Sequence, residues 1–266
     1  MKCVSLDLDG TLLNSEHIIS NEDRETVNLL KDTGYQVIIN TGRQYKDIIK
    51  IHGVKELNCP IICLNGSMIY SATGEIIYET TIDPTLYSEL IRLLKELEVG
   101  ILVYTNKGGF PATLPLLHNK SLEEINKMFA EQDYYSILKI EDIKIYKLIA
   151  WVDHSQLEKI QMVKEHLRKF ASIACSSSFP NNVEITSSEA QKGKAIRRFE
   201  SLTGVSFSEI YSFGDGGNDI SQFEISTASF AMDNAPEEIK EKASHVTKSN
   251  NESGVSFAIK HILELI

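Results

Sequence analysis

The chain has 266 residues, of which 42% are apolar and 24% charged, and its formal net charge is −10. That is the balance of an ordinary soluble globular protein, long enough for two modest domains or one large one with a core that needs no disulfides. The 27 Lys and Arg residues are spread along the chain, which argues against a nucleic-acid-binding face.

In chain order, Cys3-Val4-Ser5-Leu6 reads as a short strand that runs into Asp7 and a glycine-containing loop. The apolar stretch stops too early for a signal peptide, and no later run is long enough to span a membrane, so a cytoplasmic location is expected. Ser20 is an N-cap candidate for a helix carrying Val27, Leu29 and Leu30 and stopped by Gly34. Tyr35 to Ile39 is a second strand, running into Asn40-Thr41-Gly42-Arg43. After another helix, Pro60 to Leu64 is a third, ending at Asn65-Gly66. This alternation predicts an α/β fold with a Rossmann-like parallel sheet, whose ligands bind at the carboxyl ends of the strands.

The pattern changes after Gly66. A hairpin spans Met68 to Tyr78, and a helix follows with Leu86, Leu90, Leu93, Leu94 and Leu97 on one face. To about Thr186 strands (Ile101 to Tyr104, Ile145 to Val152, Ile173-Ala174, Val183 to Ile185) mix with helices (Leu122 to Phe129, Leu157 to Phe170). We read this as an inserted α+β domain. The βα alternation resumes with a helix from Lys192 (Ala195, Ile196, Phe199, Leu202) and the strand Ile210 to Phe213. A strand from Ser229 to Met232, a helix from Pro236, a short strand at His245 to Thr247 and a helix with Val255, Ile259, Ile262 and Ile266 complete it. The domain boundaries expected are 1–82 with 188–266 for the core and 83–187 for the insertion. The four cysteines (Cys3, Cys59, Cys63, Cys175) lack Cys-x-x-Cys spacing and read as reduced core residues; the scattered histidines do not suggest zinc.

Four clusters carry chemistry. Asp7 and Asp9 precede and follow Leu8, and Gly10 bends the chain at once, so both carboxylates can converge on one point. One can attack phosphorus while the other moves protons; a calcium loop or a helix cap is the alternative. Thr41-Gly42 at a helix start suits an anion, though both residues are also common helix starters. Lys192 in a first helical turn opposes the helix dipole and so calls for a partner anion, unless it is a solvated surface lysine. Asp215 and Asp219 bracket Gly216-Gly217-Asn218 after a buried strand, either as an oxygen-rich loop for a hard cation such as magnesium or as a plain turn.

Together, Asp7-Leu8-Asp9-Gly10-Thr11, Thr41-Gly42, Lys192 and Gly214-Asp215-Gly216-Gly217-Asn218-Asp219 resemble the haloacid dehalogenase superfamily across essentially the whole chain. The likeness is to its Cof-type phosphatases, which carry a large type-IIB cap inserted between the second and third motifs. It implies hydrolysis of a small phosphorylated metabolite with Mg²⁺ as cofactor, Asp7 as nucleophile and Asp9 as general acid/base. It further implies that Thr41 and the Gly42 N–H hold the phosphoryl group and that Lys192 neutralises it. Asp7, the Asp9 carbonyl and Asp215 would bind the metal, Asn218 would contact phosphate or a metal water, and Asp219 would stand behind them. The chain departs from the family pattern at Gln222 (usually Met), Asp233 (often Gly) and Glu189 (frequently Gly), which leaves cap docking and loop shape open.

Within the resemblance, Asp9 favours phosphoester hydrolysis over an ATPase, which would carry Thr, or a phosphonate hydrolase, which would usually carry Ala. A phosphomutase or phosphotransferase keeps Asp9. A silent phospholigand-binding protein would tolerate loss of Asp7, Asp9, Lys192 or Asp215, and all four are present. The expected partner is a small-molecule phosphate ester bound by a monomer or weak homo-oligomer, with no nucleic acid or membrane. Tyr104, Lys107, Phe110, His118 and Lys147 are cap candidates for the leaving group, which could belong to a sugar phosphate, a nucleotide, flavin mononucleotide or pyridoxal phosphate.

Overall fold

Strand β1 (Lys2–Leu6) is buried from Cys3 onward, as a central strand covered on both faces should be. The computed structural model that shows this describes residues 1–111 and 121–265. Helix α1 (Asn21–Asp32) begins at Ser20, whose hydroxyl accepts from the Asp23 amide at 3.0 Å, satisfying a donor the first turn leaves over. Val27 and Leu30 face the core, whereas Leu29 lies off that stripe and is exposed. Strands β2 (Gln36–Asn40) and β3 (Ile61–Cys63) flank the four-residue helix α2 (Tyr45–Ile48), and β4 (Met68–Tyr70) and β5 (Ile76–Glu79) form the hairpin.

The chain then builds helix α3 (Pro84–Glu96), strands β6 (Gly100–Thr105) and β7 (Gly108–Phe110), helix α4 (Leu122–Ala130), β8 (Ile145–Trp151), α5 (Leu157–Leu167), β9 (Ile173–Ser176) and β10 (Asn182–Ser187). It continues through α6 (Lys192–Thr203), β11 (Glu209–Gly214), α7 (Ile220–Phe223), β12 (Ala228–Ala231), α8 (Glu237–Lys240), β13 (His245–Val246) and α9 (Gly254–His261). Ile266, expected on the last helix, lies outside the described residues. The chain divides into two units, Met1–Glu79 with Ala190–Ile266, and Thr80–Glu189.

The first unit is an eight-stranded sheet in the order β13-β12-β11-β1-β2-β3-β4-β5. Pairing is parallel from β13 to β3 and antiparallel in the hairpin. The strand order runs away from β1 in both directions, which makes β1 the switch point where open α/β sheets bind ligands. Leu6 is level with Phe213 on one side and Ile39 on the other. The segments after these residues therefore leave the sheet side by side. Ala195, Ile196 and Phe199 of α6 pack against Cys3, Ile38, Ile62 and Ile69, the helix-on-sheet layer that carries Lys192 to the same edge.

The second unit is a five-stranded antiparallel sheet in the order β7-β6-β8-β10-β9. Leu90, Ile91 and Leu94 of α3 and Ile160, Val163 and Leu167 of α5 share a core with Ile101, Val103, Leu148, Ala150, Val183 and Ile185. Strand alternation sends Tyr104, Lys147, Glu184 and Thr186 to the opposite face. There Lys147 Nζ lies 3.2 Å from Glu184 Oε2 and 4.9 Å from the centre of the Tyr104 ring. Cys3, Cys59 and Cys63 are buried and unpaired, but Cys175 is exposed on β9, so only three of the cysteines fill the core. No helix among the described residues is long and apolar enough to cross a membrane.

Candidate active site

Asp7 is the first residue past β1, and its amide donates to the Phe213 carbonyl at 3.1 Å, extending the ladder one step beyond the strand. The loop after it closes on itself through Leu13 N to Leu8 O at 2.8 Å. Gly10 is held at φ +71°, and a Cβ there would stand 2.1 Å from Asp215 Oδ2. Only glycine lets the two motif loops approach this closely. Asn234 ties the loop from outside by donating to the Gly10 carbonyl at 2.9 Å.

Lys192 opens helix α6 and is completely buried. Its ammonium donates to Asp7 Oδ1 and to Asp219 Oδ1, each at 2.6 Å. The anions demanded by a lysine in a first helical turn are therefore these two carboxylates. Gly193 brings the helix in close: its N–H donates to Ser221 Oγ at 3.2 Å, and a Cβ would lie 2.0 Å from the Ser221 carbonyl.

Asp219 is also fully buried. Its Oδ2 accepts from the amides of Asp215 and Gly216 at 3.0 Å each, and its Oδ1 accepts from Lys192 and, at 2.8 Å, from Gln222 Nε2. Four donors occupy the lone-pair directions of this carboxylate. Asp7 has one oxygen on Lys192, and the Asp215 carboxylate has no side-chain donor among the described residues. Ligand oxygens of Asp7, Asp215 and Asp219 all lie within 4.8 Å of one another.

Three carboxylates against one ammonium leave a formal excess of negative charge in a buried place. Burial pushes the Asp7 carboxyl well above its usual range, against the pull of Lys192 and with help from Asp219 and Asp215. Burial and the neighbouring Asp219 carry Asp215 up to about 7. Burial disfavours the Lys192 charge, but Asp219 and Asp7 outweigh it and keep the ammonium protonated. A hard cation with oxygen ligands fits this donor set: Asp7 and Asp215 offer oxygens not taken by the network, and positive charge relieves their repulsion.

Asp9 goes elsewhere. Its carboxylate is gripped by Arg43 through two hydrogen bonds, Nε to Oδ2 at 2.6 Å and Nη2 to Oδ1 at 2.5 Å, with His17 Nδ1 at 3.8 Å. Thr41 is buried, and its hydroxyl oxygen accepts from the Arg43 amide at 3.2 Å, leaving the O–H to donate. The helix after Gly42 starts only at Tyr45 and has four residues, so its dipole adds little to an anion site there. Asn218 donates to Asn65 Oδ1 at 3.1 Å, joining the ends of β3 and β11.

The profile described as haloacid dehalogenase-like hydrolase matches residues 4–259, nearly the whole chain. The chain belongs to this family. The hydrolase is 32% identical to the 5-amino-6-(5-phospho-D-ribitylamino)uracil phosphatase YwtE of Bacillus subtilis, over 99% of this chain and 98% of that one. It is 25% identical to the pyridoxal phosphate phosphatase YbhA of Escherichia coli, over 98% and 99%. A solved haloacid dehalogenase-like hydrolase from B. subtilis superposes with a TM-score of 0.86 at 25% identity, over 98% of this chain and all of that one. The haloacid dehalogenase-like hydrolase described here is a Cof-type phosphatase, with the parallel-sheet core and separate antiparallel sheet of its fold.

Two residues of this hydrolase's site escaped sequence reasoning. Arg43 stood in the second motif, but its bond to Asp9 crosses 34 positions and has no local signature. Gln222 registered only as a departure, whereas it is a completely buried hub. The other departures are mild: Asp233 is exposed and accepts from Lys240 at 3.3 Å, and Glu189 is exposed. Of the leaving-group candidates, Phe110 packs edge-on to Tyr134 at 5.5 Å against the core of its own unit. Lys107 is exposed, Lys147 is paired with Glu184, and His118 lies outside the described residues.

Proposed function

We propose that this phosphatase hydrolyses a small phosphomonoester through an aspartyl-phosphate on Asp7, with Mg²⁺ as cofactor. The observation that supports this most is the completely buried Lys192 ammonium spanning Asp7 and Asp219. A buried cation fixed on the attacking carboxylate pulls it toward its ionised form against the effect of burial and stands ready for the phosphoryl oxygens.

In the first step an Asp7 oxygen attacks phosphorus and the bond to the ester oxygen breaks. Once its carboxyl turns from Arg43 and takes up a proton, Asp9 gives that proton to the leaving oxygen. In the second, Asp9 takes a proton from water as the water attacks the aspartyl-phosphate, releasing inorganic phosphate and restoring Asp7. The Thr41 hydroxyl and the Gly42 N–H hold the transferring oxygens, and Asn218 orients the phosphate. Asp7, the Asp9 carbonyl and Asp215 would hold the metal, with Asp219 outside the ligand set because its oxygens are occupied. When bound, Mg²⁺ supplies positive charge that lowers the repulsion between a carboxylate nucleophile and a phosphate dianion.

The relatives named for 5-amino-6-(5-phospho-D-ribitylamino)uracil and pyridoxal phosphate make these the first substrates to try, beside sugar phosphates, nucleotides and flavin mononucleotide. The test is phosphate release from such a panel with Mg²⁺ and again in excess EDTA. The reading expects one or a few esters turned over well and chelator abolishing the activity. Full activity in EDTA would rule out the metal role.

A further inference from the structure

Gln222, the departure from the family pattern noted in the sequence, presents an amide that is completely buried. All four of its hydrogen-bonding positions are used. Nε2 donates to Asp219 Oδ1 at 2.8 Å and to the Phe213 carbonyl at 3.2 Å. Oε1 accepts from Ser5 Oγ at 2.7 Å and from Asn40 Nδ2 at 3.2 Å. Main-chain carbonyls only accept, so Phe213 fixes which end of Gln222 is nitrogen. The Lys192 carbonyl does the same for Asn40, whose Nδ2 lies 3.3 Å away. The amide therefore has one orientation, set by β1, β2 and β11 together.

From these contacts we infer that Gln222 is a positioning residue for phosphoryl transfer, acting through Asp219 on the Lys192 ammonium. Asp219 Oδ1 is shared between Lys192 and Gln222, while its other oxygen is held by two backbone amides. The Gln222 N–H braces the carboxylate and draws off part of its acceptor strength. Lys192 is left aimed at Asp7 rather than collapsed onto Asp219. A thioether at this position donates nothing, so Asp219 would lose one of four donors, and Ser5 and Asn40 would lose the oxygen they share. The inference rests on the roles proposed above for Asp7 and Lys192.

The experiment compares wild type, Gln222→Met, Gln222→Met with Ser5→Ala, and Asp7→Asn by steady-state kinetics on p-nitrophenyl phosphate with Mg²⁺, alongside Tm. Gln222→Met should lower kcat roughly 10-fold to 100-fold, as loss of a supporting hydrogen bond behind a catalytic group does, with KM nearly unchanged. Adding Ser5→Ala removes a stranded buried hydroxyl and should recover Tm without recovering kcat. A folded Gln222→Met protein with wild-type kcat would overturn the inference, as would kcat returning together with Tm in the double variant. The double variant alone gives the answer should the single one fail to fold. If Asp7→Asn is inactive while Gln222→Met is unimpaired, only the Gln222 inference fails. If Asp7→Asn turns over normally, the proposed function fails and takes the inference with it.

Discussion

Lys192 concentrates the electrostatics of the site in one side chain. An ammonium with no solvent exposure is stable only because Asp7 and Asp219 each stand 2.6 Å from it. Removing one partner of a buried ion pair strands the other charge and costs about 3–5 kcal/mol. Lys192→Met should therefore unfold at lower urea by a margin of that order and should lose turnover. Unchanged stability would contradict the buried pairing. Asp7, Lys192 and Asp215 were readable because each sits at the end of a strand or the start of a helix with a spacing chemistry can interpret. The Arg43–Asp9 and Gln222–Asp219 bonds were not, because each depends on a fixed side-chain rotamer across two elements.

At the scale of elements, α6 shows how a local preference is overruled. In an exposed helix, replacing glycine by alanine stabilises by about 1 kcal/mol. At Gly193 the added methyl would meet the Ser221 carbonyl at 2.0 Å, a backbone atom that cannot turn aside. Gly193→Ala should therefore destabilise, by about 1–3 kcal/mol as overpacking does. A gain in stability would show that α6 is free to shift away from Ser221. Elements with long apolar stripes, such as α3 and α5, were legible from periodicity. β7 and α7, at three and four residues, are too short to show a period. Leu202 and Ile262, read in the apolar register of their helices, are exposed, Leu202 in the last turn of α6 and Ile262 just past the end of α9.

Across the whole molecule, the strand order makes metal affinity, stability and pH interdependent. Because β11 and β1 are neighbours, Asp215 and Asp7 leave the sheet together, and without a cation Asp215 holds its proton up to about pH 7. A carboxyl whose folded pKa is raised adds stability that is full below its unfolded value, near 3.9. That stability is lost as the pH climbs through the folded value. Chelator-treated protein should thus lose Tm between about pH 5 and pH 7. Added Mg²⁺ should raise Tm more at the upper end of that range than at the lower, because binding must displace the proton. An equal rise at both ends would contradict the raised Asp215 pKa. The α/β class and the inserted sheet were legible because period and element order specify them. Which face of that sheet carries Lys147, Glu184 and Tyr104 needed strand register, which one residue of slip would reverse.

The central claim is that Asp7 itself takes the phosphoryl group. Its most direct measurement is the turnover of p-nitrophenyl phosphate by Asp7→Asn with Mg²⁺, on protein shown by circular dichroism to be folded. The account predicts a folded protein with turnover abolished. A folded Asp7→Asn variant hydrolysing the ester at the wild-type rate would contradict it.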